Sequence, residues 1–167
     1  MKSLSLSCII MMASIVLPLA ARAEAPDAIA VAGEALAATY HAEGAQVYEC
    51  KSDASGKLAW QFREPIATLL AGGETVGRHF AGPNWELADG SAVTGKVTGH
   101  APGATPKDIP LLRLEVASQR GSGKLTGVTT IQRLNTRGGV AEGACDAAGA
   151  FQAVPYSADY TFYKQGG

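Results

Sequence analysis

The sequence has little net charge and no concentration of charge. Lysine and arginine together number 14 against 15 aspartate and glutamate, which gives the 167-residue chain a formal net charge of −1. No basic run occurs anywhere along the chain. Because binding to nucleic acid or to an anionic membrane surface depends on clustered positive charge, we expect neither as a partner.

The sequence also lacks the short motifs that carry common chemistries. It has no G-x-S-x-G serine, no phosphate-binding loop and no dinucleotide fingerprint. His41, His79 and His100 form no H-x-H or H-x-x-x-H pair, so the spacing expected of zinc or copper ligands is missing. A serine mechanism could use His79 with Asp89, but no suitable nucleophile is evident. We therefore predict no catalytic residue, metal ligand or cofactor.

The N-terminus has the pattern of a secretory signal. Lys2 precedes an apolar run from Leu4 to Leu19, which is followed by Ala21-Arg22-Ala23, an A-x-A cleavage site. The run is short for a membrane span, and no basic stop-transfer cluster follows it. We therefore predict a signal peptide at residues 1–23 and a single β domain at residues 24–167, located in the periplasm or outside the cell, with no membrane partner after signal removal.

Cysteine is scarce, and its distribution predicts one disulfide. Cys8 would leave with the signal peptide, and only Cys50 and Cys145 would remain in an oxidising compartment. A bridge closing a loop of this length would stabilise the fold by roughly 4 to 5 kcal/mol in the chain-entropy model. The alternative, two free thiols that ligate a metal, lacks a CxxC spacing and a nearby histidine.

Alternation of apolar and polar residues predicts strands throughout the domain, and no segment predicts a helix with equal clarity. The segment before Ala42 fits either structure, and we favour a strand from about Glu34. We expect Pro65 to end a strand because proline cannot donate to a sheet. The fold class is therefore all-β, an antiparallel β-sandwich or barrel-like domain. The residues predicted to share its core are Trp60, Phe62, Leu112, Leu114, Tyr160 and Phe162.

The stretch from Thr75 to Thr98 is the most informative part of the chain. A strand containing His79 is broken by Gly82-Pro83, and two further strands flank an Asp89-Gly90 turn. We expect a register that pairs Leu87 with Val93 and Trp85 with Gly95, because it keeps apolar side chains on one face. This register would lay the Trp85 ring over a glycine.

Several segments resemble a family of exported bacterial and fungal proteins catalogued as domain of unknown function 3455. They read GAQVYEC (Gly44 to Cys50), AWQF (Ala59 to Phe62), VGRHFAGPNWELADGSAVTG (Val76 to Gly95), VTTIQRLNTRGGVAEGACD (Val128 to Asp146) and VPYSADYTFY (Val154 to Tyr163). The resemblance covers nearly all of the chain after the signal, and it implies no established activity.

His79, Asn84, Trp85 and Asp89 are the candidate binding residues. The Gly82-Pro83 break would bring the imidazole, amide and indole groups together on an accessible concave surface, a mixture typical of ligand pockets. Each residue also has a structural interpretation: His79 and Trp85 as core residues, and Asp89 as a turn residue that accepts bonds from its own backbone.

Three functions remain open from the sequence. The first is an exported binding module for a glycan, small molecule or protein partner in the envelope or outside the cell. The second is a hydrolase or a metal-dependent enzyme centred on His79. The third is a structural or stress-related envelope protein.

A buried pair of Arg133 and Asp159 is a further expectation, because each lies on a strand with apolar alternation.

Overall fold

The computed structural model describes residues 25–166, and it is all-β as predicted from the alternation. A single 3-10 turn, Asp27–Ile29, precedes the strands. The eight strands are β1 (Glu34–Ser52), β2 (Leu58–Ala71), β3 (Glu74–Phe80), β4 (Asn84–Leu87), β5 (Ala92–Ala101), β6 (Leu111–Arg120), β7 (Val128–Gly138) and β8 (Phe151–Gln165). The predicted signal peptide, residues 1–23, lies outside the described residues.

The strands form a closed barrel in which each pairs antiparallel with the next and β8 pairs with β1. Of the two architectures that the sequence left open, the structure is therefore the barrel. Its upper end carries the connections 53–57, 81–83, 102–110 and 139–150, and its lower end carries 72–73, 88–91 and 121–127. Residues 25–166 contain no helix with the length and apolarity that a membrane-spanning helix requires.

The core fills the inside of the barrel, because alternate residues of every strand point inward. Leu114, Tyr160 and Phe162 are buried there, as predicted, and Leu112 packs partly buried against them. Phe62 was wrongly predicted, since 56% of its surface is exposed. The long strands β1 and β2 extend beyond the short β3 and β4, so Phe62 lies at the open upper rim. Trp60, further along the same extension, is only half-buried.

Pro65 does not end a strand, contrary to the expectation from the sequence. It lies within β2 opposite Gln46 of β1. The pairing of β2 with β3 begins at Ala67, so β2 has only one neighbour at the proline. Proline lacks the N–H that would bond to a second neighbouring strand, but no second strand is present here. The hydrogen bonds of the sheet are therefore not interrupted, and the strand continues through Pro65.

The register of the β4–β5 hairpin also differs from the prediction. Trp85 pairs with Val93 instead of Gly95, because the chain closes through a bond from the Leu87 N–H to the Ser91 carbonyl, 3.0 Å. The expected packing of the Trp85 ring against Gly95 is nevertheless present. A Cβ placed on Gly95 would lie 3.0 Å from Cζ3 of Trp85, so the indole lies directly against the glycine.

The Cys50–Cys145 disulfide is formed, as predicted. It links the upper part of β1 to the 139–150 connection, across a sequence separation of 95 residues. Backbone bonds flank the bridge: the Cys50 N–H donates to the Ala150 carbonyl at 2.8 Å, and the Gly149 N–H donates to the Cys50 carbonyl at 2.9 Å. The connection is therefore held to β1 by hydrogen bonds as well as by the covalent link.

Candidate functional site

His79, Asn84 and Trp85 are brought together by the tight turn at residues 81–83. His79 lies opposite Trp85, and Phe80 lies opposite Asn84. The His79 Nδ1–H donates to the Asn84 carbonyl at 2.8 Å, and the imidazole stacks on the indole with ring centroids 4.5 Å apart. However, His79 is 3% exposed and Trp85 is 1% exposed, so the group does not form the open surface expected from the sequence. The two rings lie inside the barrel, whereas Asn84 is partly exposed.

Burial determines the protonation state of His79. The ring contacts Tyr160 as well as Trp85, with the Tyr160 ring centroid 4.8 Å away. Burial lowers the pKa of His79 from its ordinary 6.5 to about 3, opposed by the bond to the Asn84 carbonyl and assisted by the positive charge of Arg133. His79 is therefore neutral, with its proton on Nδ1. Nε2 has no hydrogen-bond partner in the described part of the chain, and it is left as an acceptor.

The Asn84 side chain is engaged by the turn. Its amide nitrogen donates to the Ala81 carbonyl at 2.5 Å, and its amide oxygen accepts from the Thr94 hydroxyl. Gly82 has a φ of +119°, and a Cβ there would lie 2.3 Å from the Asn84 amide nitrogen. The glycine and the amide therefore build the turn together, and Asn84 contributes to the site by positioning His79 with its carbonyl.

Asp89 lies at the opposite, lower end of the barrel. Its carboxylate accepts from the backbone N–H of Ser91 at 2.9 Å and from that of Lys124 at 2.8 Å. These bonds, with one from the Ser91 hydroxyl, lower the pKa of Asp89. Asp89 ties two lower connections together, and it does not join His79.

A cavity of about 410 Å³ opens into the barrel from the upper end, and His79 lies on its wall. We call this space the upper cavity. Its lining is mainly apolar with a few polar groups, and consists of Gln46, Tyr48, Phe62, Arg63, Pro65, His79, Gly82, Pro83, Val97, Ile109, Pro110, Leu112 and Arg133. Trp85 supports the cavity from behind His79 and is not part of the lining.

Sequence reasoning missed four polar residues of this cavity, Gln46, Tyr48, Arg63 and Arg133. Arg133 does not form the expected pair with Asp159, which accepts instead from His41 at 2.8 Å and from Asn135 at 2.7 Å. Arg133 is in phase with Ile131, a core residue, and this alternation could have indicated that it points inward. Gln46 is likewise in phase with Ala42 on the inner face of β1.

Metal ligands do not cluster in the described part of the chain. Across residues 25–166, no three His, Cys, Asp or Glu side chains lie close enough together to hold a metal ion.

Comparison with known proteins assigns the family. A family model described as "Protein of unknown function (DUF3455)" matches residues 31–164, which include all the strands except the last residue of β8. No curated protein and no solved structure matches the chain. The match includes every residue of the upper cavity and both bridged cysteines. The chain therefore belongs to the DUF3455 family of proteins of unknown function.

Proposed function

We propose that this protein is an exported binding module that takes up a small, mainly apolar molecule in the upper cavity. One observation carries the proposal: a closed barrel opens at one end into a cavity of about 410 Å³ whose apolar wall carries a few polar groups. Small-molecule sites in proteins have this volume and this composition. The predicted signal peptide and the Cys50–Cys145 disulfide support export.

The site favours a small molecule over a glycan. A sugar-binding site needs an aromatic ring with an open face, whereas Trp85 is covered by His79 on one side and by Gly95 on another. Phe62 is the exposed aromatic residue of the cavity, but the lining around it is mainly apolar and offers few groups that could bind the hydroxyl groups of a sugar. The exposed apolar surface at the rim, Phe62 and Val97, suits an apolar ligand better.

The same geometry favours binding over hydrolysis. The hydrogen bond of His79 Nδ1 goes to a backbone carbonyl, so no carboxylate orients the ring as in a catalytic triad. The residues that line the upper cavity include no serine, threonine or cysteine that His79 could activate. A neutral His79 with a free Nε2 can accept a hydrogen bond from a ligand hydroxyl or amide.

A neutral fluorescent probe tests the proposal. N-phenyl-1-naphthylamine should bind the wild-type chain with enhanced emission, and Val97→Trp, which adds an indole at the mouth of the upper cavity, should weaken binding by about tenfold or more. Ile66→Trp is the matched control, because Ile66 is exposed on β2 and does not line the cavity. Both variants are first checked for wild-type melting temperature. Absence of probe binding by the wild type, or equal binding by Val97→Trp, would overturn the proposal.

A further inference from the structure

Arg133 is fixed at the edge of the upper cavity. Its Nε–H donates to the Pro110 carbonyl at 3.0 Å, and both residues line the cavity. The bond uses one of the five N–H donors of the guanidinium and restrains its plane. The buried Tyr160 hydroxyl is a further hydrogen-bond neighbour of the guanidinium, and the remaining N–H donors are left for another partner such as a carboxylate.

Arg133 has no carboxylate partner among residues 25–166, in contrast to the other cation of the cavity. Arg63 forms an ion pair with Glu64 at 2.8 Å and lies over the Phe151 ring. None of the ion pairs in the described part of the chain involves Arg133, and none of the residues that line the cavity is acidic. A half-buried cation against an apolar wall is stabilised when an anion joins it.

Gln46 supplies a second donor in the same cavity. It is 2% exposed, and its amide nitrogen makes no hydrogen bond of ordinary geometry, although the Tyr156 hydroxyl is a neighbour. A buried amide without a partner is costly, and a ligand oxygen would satisfy it. His79 cannot serve the same purpose, because its proton is on Nδ1 and is already donated to Asn84.

We propose that the upper cavity selects a molecule with an apolar chain and one carboxylate, and that Arg133 binds the carboxylate. This inference rests on the proposed function. The anion neutralises the charge of Arg133, the unpaired Gln46 amide nitrogen is a second donor in the same cavity, and the apolar chain occupies the wall formed by Val97, Ile109 and Leu112.

A matched pair of ten-carbon ligands, decanoate and 1-decanol, tests the proposal by displacement of N-phenyl-1-naphthylamine at low salt. The wild type should prefer decanoate by about tenfold or more, and Arg133→Gln should remove this preference while it keeps binding of 1-decanol. Arg63→Gln is the control, since Arg63 lines the same cavity but already has Glu64 as its partner. It should keep the preference.

The outcomes separate the two proposals. Equal displacement by decanoate and 1-decanol in the wild type would overturn the carboxylate inference and leave the proposed function intact. A preference that survives in Arg133→Gln would also overturn the inference. Displacement by neither ligand, with no binding of the probe itself, would overturn both. If Arg133→Gln fails to fold, Arg133→Lys replaces it: loss of the planar fork should reduce the preference several-fold, and an unchanged preference would contradict the role of Arg133.

Discussion

His79 and Trp85 lie directly opposite each other on β3 and β4, with their ring planes 13° from parallel. Opposed residues of an antiparallel pair have their side chains on the same face, and here that face is the interior of the barrel. The Tyr160 ring approaches from β8 on the other side of the barrel and completes an aromatic layer around the imidazole. This layer closes the inner end of the upper cavity and keeps His79 neutral.

The buried imidazole predicts an acid-dependent loss of stability. Between the unfolded pKa of 6.5 and the folded pKa of about 3, the unfolded chain binds a proton that the folded chain does not. The contribution of the neutral His79 to the free energy of unfolding should therefore be fully present above pH 6.5. It should fall as the pH drops from 6.5 towards 3, by up to about 1.4 kcal/mol per pH unit.

Urea unfolding of the wild type and of His79→Gln at several pH values between 7 and 4 measures this contribution. Acidic groups with lowered pKa values, such as Asp53 and Asp108, also reduce stability in acid, but they are common to both chains. The difference between the two curves should shrink as the pH falls. Parallel curves would show that His79 does not stay neutral in the folded state.

The sequence predicts the strands and the contact of His79 with Trp85 because both depend on local patterns. Alternation gives each strand, and the Gly82-Pro83 break brings its two flanking strands together. The upper cavity could not be predicted in the same way. It depends on the unequal length of β2 and β4 and on the convergence of Gln46 and Arg133 from β1 and β7, which are separated by most of the domain.

Gly95→Ala should destabilise the protein by about 1 to 3 kcal/mol, because the interior has no room for the added methyl group. Its Cβ would lie 3.0 Å from the Trp85 ring and 3.1 Å from Cδ2 of Leu114. Leu114→Ala provides a double-mutant cycle, since it removes the Cδ2 methyl group that crowds the new methyl. In urea unfolding, the double variant should lose less unfolding free energy than the two single variants lose together. Strict additivity would mean that the methyl is accommodated elsewhere.

Asp89→Ala should loosen the lower end of the barrel and leave the upper cavity unchanged. Without the carboxylate, the backbone N–H groups of Ser91 and Lys124 lose their acceptor, so their amide protons should exchange faster with solvent. Asp53→Ala is the control, because Asp53 makes the equivalent turn bonds at the upper end, to Ser55 and Lys57. Loss of probe binding in a folded Asp89→Ala chain would instead give Asp89 the binding role that the sequence suggested.

The Cys50–Cys145 bridge should stabilise the protein chiefly through its effect on the unfolded chain. In the folded barrel, backbone bonds from Cys50 to Gly149 and Ala150 hold the connection in place without it. In the unfolded chain, by contrast, the bridge restricts a loop of 95 residues. A chain with Cys50→Ser and Cys145→Ser should therefore lose roughly 2 to 5 kcal/mol of unfolding free energy and keep probe binding at temperatures where it is folded.

The reference for this measurement is the chain without residues 1–23, in which Cys50 and Cys145 are the only cysteines. When this chain is unfolded without reductant, thiol titration should find no free thiol, and after reduction it should find both. Two reactive thiols before reduction would refute the bridge. A double variant as stable as the reference would show that the loop restriction contributes nothing, and loss of probe binding in a folded double variant would show that the bridge also shapes the upper cavity.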